Sequence, residues 1–315
     1  MHVFLAPLAL LLERLFGYPS PVYKAIRHPV VWMGALLDWL DKTLNKGTHQ
    51  RLKGVLALLI LLAVTAAITV AIHLGLSLIP FGWVIEAIFA TTLLAQKELA
   101  RAVRAVADAL DTSLEAGRRQ VSQIVGRDPE TLDSAGVSRA AIESLAESTS
   151  DGIIAPLFWL VLGGLPGIAL YKAINTADSM IGHKTERHLQ FGWAAARLDD
   201  LVNWLPARLS ALLVAGAAFW VTGAEAEKAW TTALRDARKH ASPNAGWPEA
   251  AFAGALGYTL GGPRSYAGET IDLPSLGNGR RDLGPADIRN ALALYGMVLN
   301  LALGFALAIA VLLYR

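Results

Sequence analysis

The chain has 315 residues, of which 54% are hydrophobic and only 17% are charged, and it contains no cysteine. Soluble domains carry roughly 25% charged residues, so this composition favours a membrane protein. The lack of cysteine excludes disulfides, thiolate metal sites and a cysteine nucleophile. The net charge of +2 argues neither for nor against a nucleic-acid partner. Because no basic run is interleaved with aromatic residues, we expect no nucleic-acid partner. We predict an all-α, polytopic membrane protein with amphipathic soluble helices and a glycine-rich loop, organised as one membrane-embedded domain over residues 1–315.

Two apolar stretches are long enough to cross a bilayer. Residues 55–79 contain a single ionisable residue, His73, and residues 290–314 contain no charge. Each would extend about 37 Å as a helix, enough for the hydrocarbon core with some tilt. Lysines and arginines are spread over many of the loops, so the sequence favours neither orientation in the membrane. The other predicted membrane segments are 3–16, 81–96, 152–171 and 204–223.

The first 125 residues contain two further apolar segments, a candidate helix cap and an amphipathic stretch. The apolar N-terminus, residues 1–12, has no basic n-region and no small-residue cleavage site, so we expect a first membrane segment here, over 3–16, instead of a removable signal. The segment 81–96 is either a short span or a segment within protein, and these alternatives give opposite topologies downstream. His28 precedes a predicted helix and is expected to cap it, with contact to a ligand as the alternative. Residues 97–125 place apolar residues at three- and four-residue steps and predict one amphipathic helix.

A first acidic cluster lies just before a long apolar segment. Residues 138–150 predict a helix, and Glu143, Glu147 and Asp151 follow one another at steps of four. This spacing places three like charges on one face, where they repel one another unless a cation binds between them. A solvated acidic stripe is the alternative. Because the stripe enters the apolar segment at Asp151, where solvation is poorer, we favour binding of a cation or of Mg-phosphate.

The apolar segment 152–171 is interrupted by three glycines and a proline between Gly163 and Gly167. These residues are poor in a helix interior, and broken helices in membranes are tolerated where they are buried or line a cavity. The segment is either one kinked span or a re-entrant hairpin. The hairpin would bring Asp151 and Asp178 together, whereas the kinked span would place them on opposite sides of the bilayer.

A second polar cluster extends over residues 172–208. Asp178, Asp199 and Asp200 could supply the hard oxygen ligands that Mg²⁺ takes, usually one or two carboxylates together with phosphate and water. Asn203 follows Asp199 by four residues, which places the two side chains on one helix face.

The same stretch is also rich in cations. Lys184, Arg187 and Arg197 could bind phosphate or carboxylate, the arginines as bidentate forks. The alternative is that Arg197 and Arg208 pair only with the neighbouring aspartates and have a structural role.

The last third of the chain alternates predicted helices with turns. Residues 225–240 predict a soluble amphipathic helix, and residues 242–248 predict a turn that starts another helix. Asn244 in that turn is a candidate ligand contact, with a simple turn residue as the alternative. Residues 258–285 are rich in glycine and predict an irregular loop, with a short hairpin as an option. The sequence contains no P-loop, dinucleotide fingerprint, nucleophile elbow or zinc-protease motif.

Several motifs of these clusters are specific when they are taken together. They are Glu-Ser-Leu-Ala-Glu-Ser-Thr-Ser-Asp-Gly (143–152), Ala-Pro-Leu-Phe-Trp (155–159), Tyr-Lys-Ala-Ile-Asn-Thr-Ala-Asp-Ser-Met (171–180), Phe-Gly-Trp-Ala-Ala-Ala-Arg-Leu-Asp-Asp (191–200) and Asn-Trp-Leu-Pro-Ala-Arg (203–208). With His28-Pro-Val and the stretches 242–247 and 260–263, they closely resemble the cobalamin-biosynthesis membrane protein family known as CobD or CbiB, the adenosylcobinamide-phosphate synthases. The family usually has Asn where Ser148 stands and commonly Tyr where His183 and His188 stand.

The resemblance implies an inner-membrane, multi-pass ligase that uses ATP and Mg²⁺. Such an enzyme joins the propionate carboxylate of a cobyric acid corrinoid to aminopropanol or aminopropanol O-phosphate, with the lipid bilayer and other late membrane enzymes of the pathway as partners. On this basis we assign catalysis to Asp151, Asp178, Arg197, Asp199 and Asp200, metal binding to Glu143, Glu147, Asp151, Asp178 and Asp199, and cofactor or substrate binding to His28, Lys172, Asn175, Ser179, Lys184, Arg187, Asn203 and Asn244.

A non-enzymatic membrane protein is the competing interpretation. The regulatory membrane protein AmpE is a distant relative in the same superfamily, and in a sensor or a transporter the buried acids would gate or relay protons. Formation of an ATP-dependent product would distinguish the enzyme from both.

Overall fold

A computed structural model of the chain describes residues 2–18, 27–126, 128–266, 269–271 and 273–314. These residues are mainly helical. The helices are α1 Leu5–Phe16, α2 Pro29–Leu44, α3 Gln50–Ser77, α4 Gly82–Thr91, α5 Gln96–Thr112, α6 Leu114–Val121, α7 Ser134–Thr149, α8 Ala155–Ile181, α9 Trp193–Val202, α10 Trp204–Ala218, α11 Ala226–Asp236, α12 Gly246–Leu256 and α13 Pro285–Tyr314, with a π-helical turn at Ser150–Ile154 and a 3-10 turn at Ala237–Lys239.

Four very short strands lie within the glycine-rich stretch. Leu260–Gly261 (β1) pairs with Ser275–Leu276 (β4), and Arg264–Tyr266 (β2) pairs with Glu269–Ile271 (β3), both antiparallel. The optional short hairpin of the sequence prediction is therefore present.

Among the described residues, three helical stretches are long and apolar enough to cross a membrane. They are α3, the stretch Ser134–Ile181 and α13, and a fourth is counted if α9 and α10 together form one broken span. The spans predicted over 55–79 and 290–314 lie largely or wholly within α3 and α13. The prediction of an all-α membrane protein is confirmed.

The chain forms two compact units. The first contains Met1–Ala95, Ala155–Asn203 and Phe305–Arg315. Helices α2, α3, α8 and α9 share its apolar core, and α3 approaches the chain before α9 so closely that a Cβ at Gly54 would lie 1.8 Å from the carbonyl oxygen of Phe191. The buried residues of this core include Leu37, Leu40, Leu58, Leu61, Ala173, Ala177, Ile181 and Phe191.

Helix α8 bends sharply where the sequence concentrates glycine and proline. Gly164 has φ 59° and ψ −151°, which is outside the helical region, and Pro166 follows it. A Cβ at Gly167 would lie 2.4 Å from the carbonyl oxygen of Trp159. Eight residues of straight helix would separate these positions by about 12 Å along the axis, so the chain turns back on itself here. The local geometry is that of a hairpin, and a common side for Asp151 and Asp178 stays a prediction.

The second unit contains Gln96–Ile154 and Trp204–Gly304. Its α12 is rich in alanine and glycine and is largely buried. Small residues let α11 approach closely, because a Cβ at Gly254 would lie 2.2 Å from the carbonyl oxygen of Lys228. This close packing of short helices makes the second unit a tight helical bundle.

Two segments differ from their predicted extent. The single amphipathic helix predicted over 97–125 is wrong, because the chain breaks at Ser113, whose hydroxyl accepts a hydrogen bond from the Ala116 backbone N–H and starts α6. The segment 81–96 contains only α4, whose ten residues rise about 15 Å, roughly half of a hydrocarbon core.

Candidate functional site

The first unit holds a buried chain of polar side chains on α8, on α9 and at the residue that follows α9. The Tyr171 hydroxyl donates to Asn203 Oδ1 at 2.9 Å, and Asn203 Nδ2 donates to Asp199 Oδ2 at 3.0 Å. All three side chains are buried, with Tyr171 and Asn203 only 1% exposed. The predicted pairing of Asp199 and Asn203 across one helical turn is thus present, and Tyr171 orients it from a second helix.

Other polar side chains lie around Asp199. Asp178 and Asp200 are near enough to act on its charge, and Asn175 lies beside its carboxylate. Among the described residues nothing donates a hydrogen bond to Asp199 Oδ1, although this oxygen is buried. A buried acceptor without a partner is costly, so a ligand atom is the natural partner for it. We call Tyr171, Asn175, Asp178, Asp199, Asp200 and Asn203 the acid–amide cluster.

Several predicted cations lie at the cluster. Lys172 Nζ donates to Asn175 Oδ1 at 3.3 Å. Arg197 pairs with Asp200 at 3.6 Å, and Lys184 is near enough to act on Asp200 as well. The Arg197 and Lys184 side chains are exposed, so their contacts with Asp200 can exchange for a ligand at little cost.

Two other predicted ligand contacts of the first unit are engaged with protein. Ser179 is exposed, and its hydroxyl donates to the Asn175 carbonyl of the same helix. Arg187 forms an ion pair with Asp41, which also accepts from Asn45 Nδ2 at 2.8 Å. Burial alone would raise the pKa of Asp41, but the Asn45 and Arg187 hydrogen bonds together with the Arg187 charge lower it. Arg187 therefore binds a protein carboxylate in this structure.

His28 caps α2, as the sequence predicts. The Val30 backbone N–H donates to His28 Nδ1 at 3.2 Å. Burial lowers the pKa of His28, the charge of Lys172 lowers it further, and a hydrogen bond with the Thr92 backbone opposes both. A neutral imidazole keeps Nδ1 as an acceptor, which is the form that a helix cap requires.

The first acidic cluster belongs to the second unit. Glu143 is 4% exposed and accepts a hydrogen bond from the Gly261 backbone N–H at 2.7 Å. Glu147 is exposed, and Asp151 is half-buried in the π-helical turn that follows α7. The three acids thus differ in their surroundings, and Glu143 holds the glycine-rich stretch.

Asn244, also in the second unit, contacts an arginine. It is 4% exposed, and its Oδ1 accepts from Arg208 Nη1 at 2.8 Å. The same arginine also donates to the carbonyl oxygen of Trp204.

The positions of the acidic and histidine side chains show what kind of metal site the described residues could form. Within the part of the chain that the structure describes, no three His, Asp or Glu side chains are close enough to hold a metal ion by themselves. Mg²⁺ needs only one or two carboxylates when phosphate and water complete its coordination. Asp199, with its free buried oxygen, and the neighbouring Asp178 or Asp200 fit an Mg-phosphate in that way.

Sequence reasoning did not assign a role to Tyr171. The signal was present, because a tyrosine at the end of a long charge-free segment must hydrogen-bond its hydroxyl if it is buried. Its partner could not be read from the sequence, since Asn203 lies 32 residues further on.

The fold and the acid–amide cluster define an all-α membrane protein with a polar site built on and beside candidate membrane helices. The chain belongs to the CobD/Cbib protein family, whose model matches residues 6–295. Curated relatives match nearly full length. A Cobalamin biosynthesis protein CobD of a Sinorhizobium species is 47% identical over 311 residues, covering 96% of each chain.

Two further relatives carry the same name. The protein of Brucella suis biovar 1 is 48% identical and covers 96% of this chain and 94% of its own. The protein of Rhodobacter capsulatus is 51% identical over 284 residues, which cover 89% of this chain and 88% of its own. No solved structure is significantly similar to this chain.

Proposed function

We propose that this chain is a multi-pass inner-membrane ligase of cobalamin biosynthesis. It joins a carboxylate of a cobyric acid corrinoid to aminopropanol or aminopropanol O-phosphate and consumes ATP in the presence of Mg²⁺. The family membership and the names of the relatives support the pathway. The observation that carries the chemistry is the buried Asp199 oxygen without a hydrogen-bond donor, set among further acids, amides and cations.

A carboxylate is a poor electrophile and needs activation before an amine can attack it. In the proposed first step a corrinoid carboxylate oxygen attacks the γ-phosphorus of ATP, and ADP leaves. In the second step the amine nitrogen attacks the acyl carbon, inorganic phosphate leaves, and the amine gives up a proton. Both steps move negative charge between oxygens, and positioned cations stabilise such charge.

The residues of the cluster have distinct roles in this scheme. Asn203, oriented by Tyr171, holds Oδ2 of Asp199 and leaves Oδ1 for the ligand. Bound Mg²⁺ would neutralise phosphate charge, and Asp199 with Asp178 or Asp200 would hold it. Lys172, Lys184 and Arg197 lie at the same cluster and would balance the charge of the transferred group.

The test is a reconstituted reaction. Detergent-solubilised protein is incubated with cobyric acid, ATP, Mg²⁺ and either aminopropanol or its O-phosphate, and the corrinoid is analysed by mass spectrometry. We expect the mass of the amide with one of the two amines, and none when ATP or Mg²⁺ is omitted. Asp199→Asn serves as the inactive control.

Two results would count against the proposal. An amide that forms without ATP contradicts a ligase that activates the carboxylate by phosphorylation. Folded protein that binds cobyric acid but forms no product under any condition favours the alternative of a membrane regulator or carrier.

A further inference from the structure

Arg208 of the second unit is held in an unusual position for a cation. Its guanidinium carbon lies 4.7 Å from the centroid of the Trp204 ring and 4.8 Å from that of Trp247. Nη1 donates to Asn244 Oδ1 at 2.8 Å and to the Trp204 carbonyl at 2.7 Å, which uses both of its hydrogens. The guanidinium is thus fixed in orientation by two rings and two acceptors before any ligand arrives.

The remaining donors of Arg208 have nothing to bind among the described residues. Nε and Nη2 carry three N–H groups, and no described residue accepts from them. No carboxylate of the described chain lies within 4.0 Å of Arg208, whereas Arg235 and Lys239, at the end of α11 and just after it, both pair with Asp236. A half-buried guanidinium with three unused donors and no counter-charge is a preformed half of a bidentate anion contact.

A second arginine, Arg238, contributes positive charge near Arg208. Arg238 is exposed, is close enough to Arg208 for the two charges to repel, and pairs with no acid among the described residues. An anion bound at Arg208 would reduce the repulsion between the two guanidinium groups. The two guanidinium groups therefore favour a ligand with more than one negative charge, which a phosphate monoester carries and a single carboxylate does not.

We propose that Arg208 and Arg238 bind a phosphate group, with Asn244, Trp204 and Trp247 fixing the orientation of Arg208. The site would bind phosphate whether or not the chain forms an amide. The phosphate can come from a phosphorylated amino alcohol, from a nucleotide or from a lipid headgroup, since all three present the same oxygens to the two arginines. Asn244 acts on the ligand through Arg208 and is a positioning residue.

The experiment measures binding without turnover, by calorimetry on the full chain in detergent. The phosphorylated probes are aminopropanol O-phosphate, ATP without Mg²⁺, and dihexanoyl phosphatidic acid below its micelle concentration. Each is compared with its unphosphorylated counterpart, namely aminopropanol, adenosine and dihexanoylglycerol. We expect at least one phosphorylated probe to bind more tightly than its counterpart, and the probe that does so identifies the source of the phosphate.

Variants then locate the binding. Arg208→Gln should weaken the binding of that probe by about tenfold or more, because charge-assisted bidentate hydrogen bonds are lost. Arg238→Gln should weaken the binding of the same probe several-fold. Because the Arg238 side chain is exposed, we expect this variant to fold, so it tests the phosphate site even if Arg208→Gln does not fold. Arg101→Gln, an exposed arginine of the second unit that pairs with Glu98, is the matched control and should bind like the wild type.

Two outcomes overturn the assignment. Phosphorylated probes that bind no better than their counterparts show that the arginines bind no phosphate. Equal binding by the wild type, Arg208→Gln and Arg238→Gln shows that phosphate binds elsewhere in the chain.

Discussion

The hydroxyl of Tyr171 donates to Asn203 Oδ1, and this bond supports the orientation in which the NH2 side of the Asn203 amide faces Asp199. With its oxygen occupied by the hydroxyl, the amide presents Nδ2 to Oδ2 of the carboxylate. The aspartate is therefore held on one oxygen and left open on the other. Removing the hydroxyl takes away one of the two bonds that position the Asn203 amide beside the carboxylate.

Tyr171→Phe should lower kcat for amide formation by about tenfold and leave KM nearly unchanged, since one positioning hydrogen bond of roughly 1.4 kcal/mol is lost. Steady-state kinetics measure the two constants separately. The matched control is Tyr295→Phe, which removes another buried tyrosine hydroxyl, one that donates to the Gln96 carbonyl at 2.8 Å. Equal kcat losses in the two variants would mean that Tyr171 only stabilises the fold.

Three of the four predicted catalytic acids should behave alike when each is neutralised. Asp151→Asn, Asp178→Asn and Asp199→Asn are each expected to remove activity, at least a hundredfold, and to leave the protein inserted and folded. Loss of a charge from a metal-phosphate site removes several kcal/mol of transition-state stabilisation. Glu115→Gln, on the exposed face of α6, should be nearly silent. If all four variants behave the same, the acids are not the site.

Asp236 provides a pH-dependent contribution to stability. Hydrogen bonds from Arg235, then Lys239 and the Gly277 backbone, outweigh burial and hold the pKa of Asp236 well below its usual range. A lowered pKa in the folded state stabilises the fold above the unfolded pKa of about 3.9, and this contribution is lost as the pH falls toward the folded value.

Asp236→Asn should therefore melt at a lower temperature than the wild type at pH 7, and the difference should shrink below about pH 4. Thermal melts across the pH range measure it. Asp38→Asn, which breaks an exposed pair with Lys42, is the control and should change little, because exposed pairs contribute little to stability. A difference that stays constant down to pH 3 would show that Asp236 has no lowered pKa.

Two glycines of α3 make a matched pair for packing. A Cβ at Gly54 would lie 1.8 Å from the Phe191 carbonyl, whereas a Cβ at Gly75 would meet nothing within 4 Å. Gly54→Ala should destabilise the first unit by roughly 1–3 kcal/mol through overpacking. Gly75→Ala should be neutral or should stabilise by up to about 1 kcal/mol, because alanine favours helix. Thermal melts that rank the two variants in the opposite order would contradict the close approach.

Tertiary contacts within the first unit also predict its orientation. The start of α3 lies beside the loop before α9, since Arg51 stacks over Trp193 and Asn45 donates to the Arg187 carbonyl. Basic residues therefore collect at this end of α3, while residues 74–83 at its other end carry no charge. Positive residues favour the cytoplasmic side. The basic residues at this end are Lys42, Lys46, Arg51, Lys53, Lys184 and Arg187.

We expect the start of α3 to face the cytoplasm. The chain has no cysteine, so single-cysteine labelling has no background. Thr48→Cys should react with a membrane-impermeant thiol reagent in inverted vesicles, and Ser77→Cys in right-side-out vesicles, both side chains being exposed. The reverse pattern would assign the opposite orientation, and labelling of both from one side would show that α3 does not cross the bilayer.

The sequence by itself determined what depends on neighbours along one helix. The apolar runs of α3 and α13, the cap at His28 and the pair of Asp199 with Asn203 follow from spacings of two to four residues and from apolar length, which helical geometry converts directly into position. The break at Ser113 was missed because the apolar periodicity continues across it, and only the cap shows that the helix restarts.

Contacts between residues distant in sequence were decided by tertiary structure alone. Tyr171 and Asn203 are 32 residues apart, Arg208 and Asn244 are 36 apart, and Arg187 and Asp41 are 146 apart. No local pattern specifies such pairs, since each depends on which helices pack together and on how deeply the side chains are then buried. Burial makes a polar group without a hydrogen-bond partner costly, so each polar group pairs with the partner that the fold brings within reach. Arg187 therefore pairs with Asp41. The same packing leaves Oδ1 of Asp199 without a donor among the described residues.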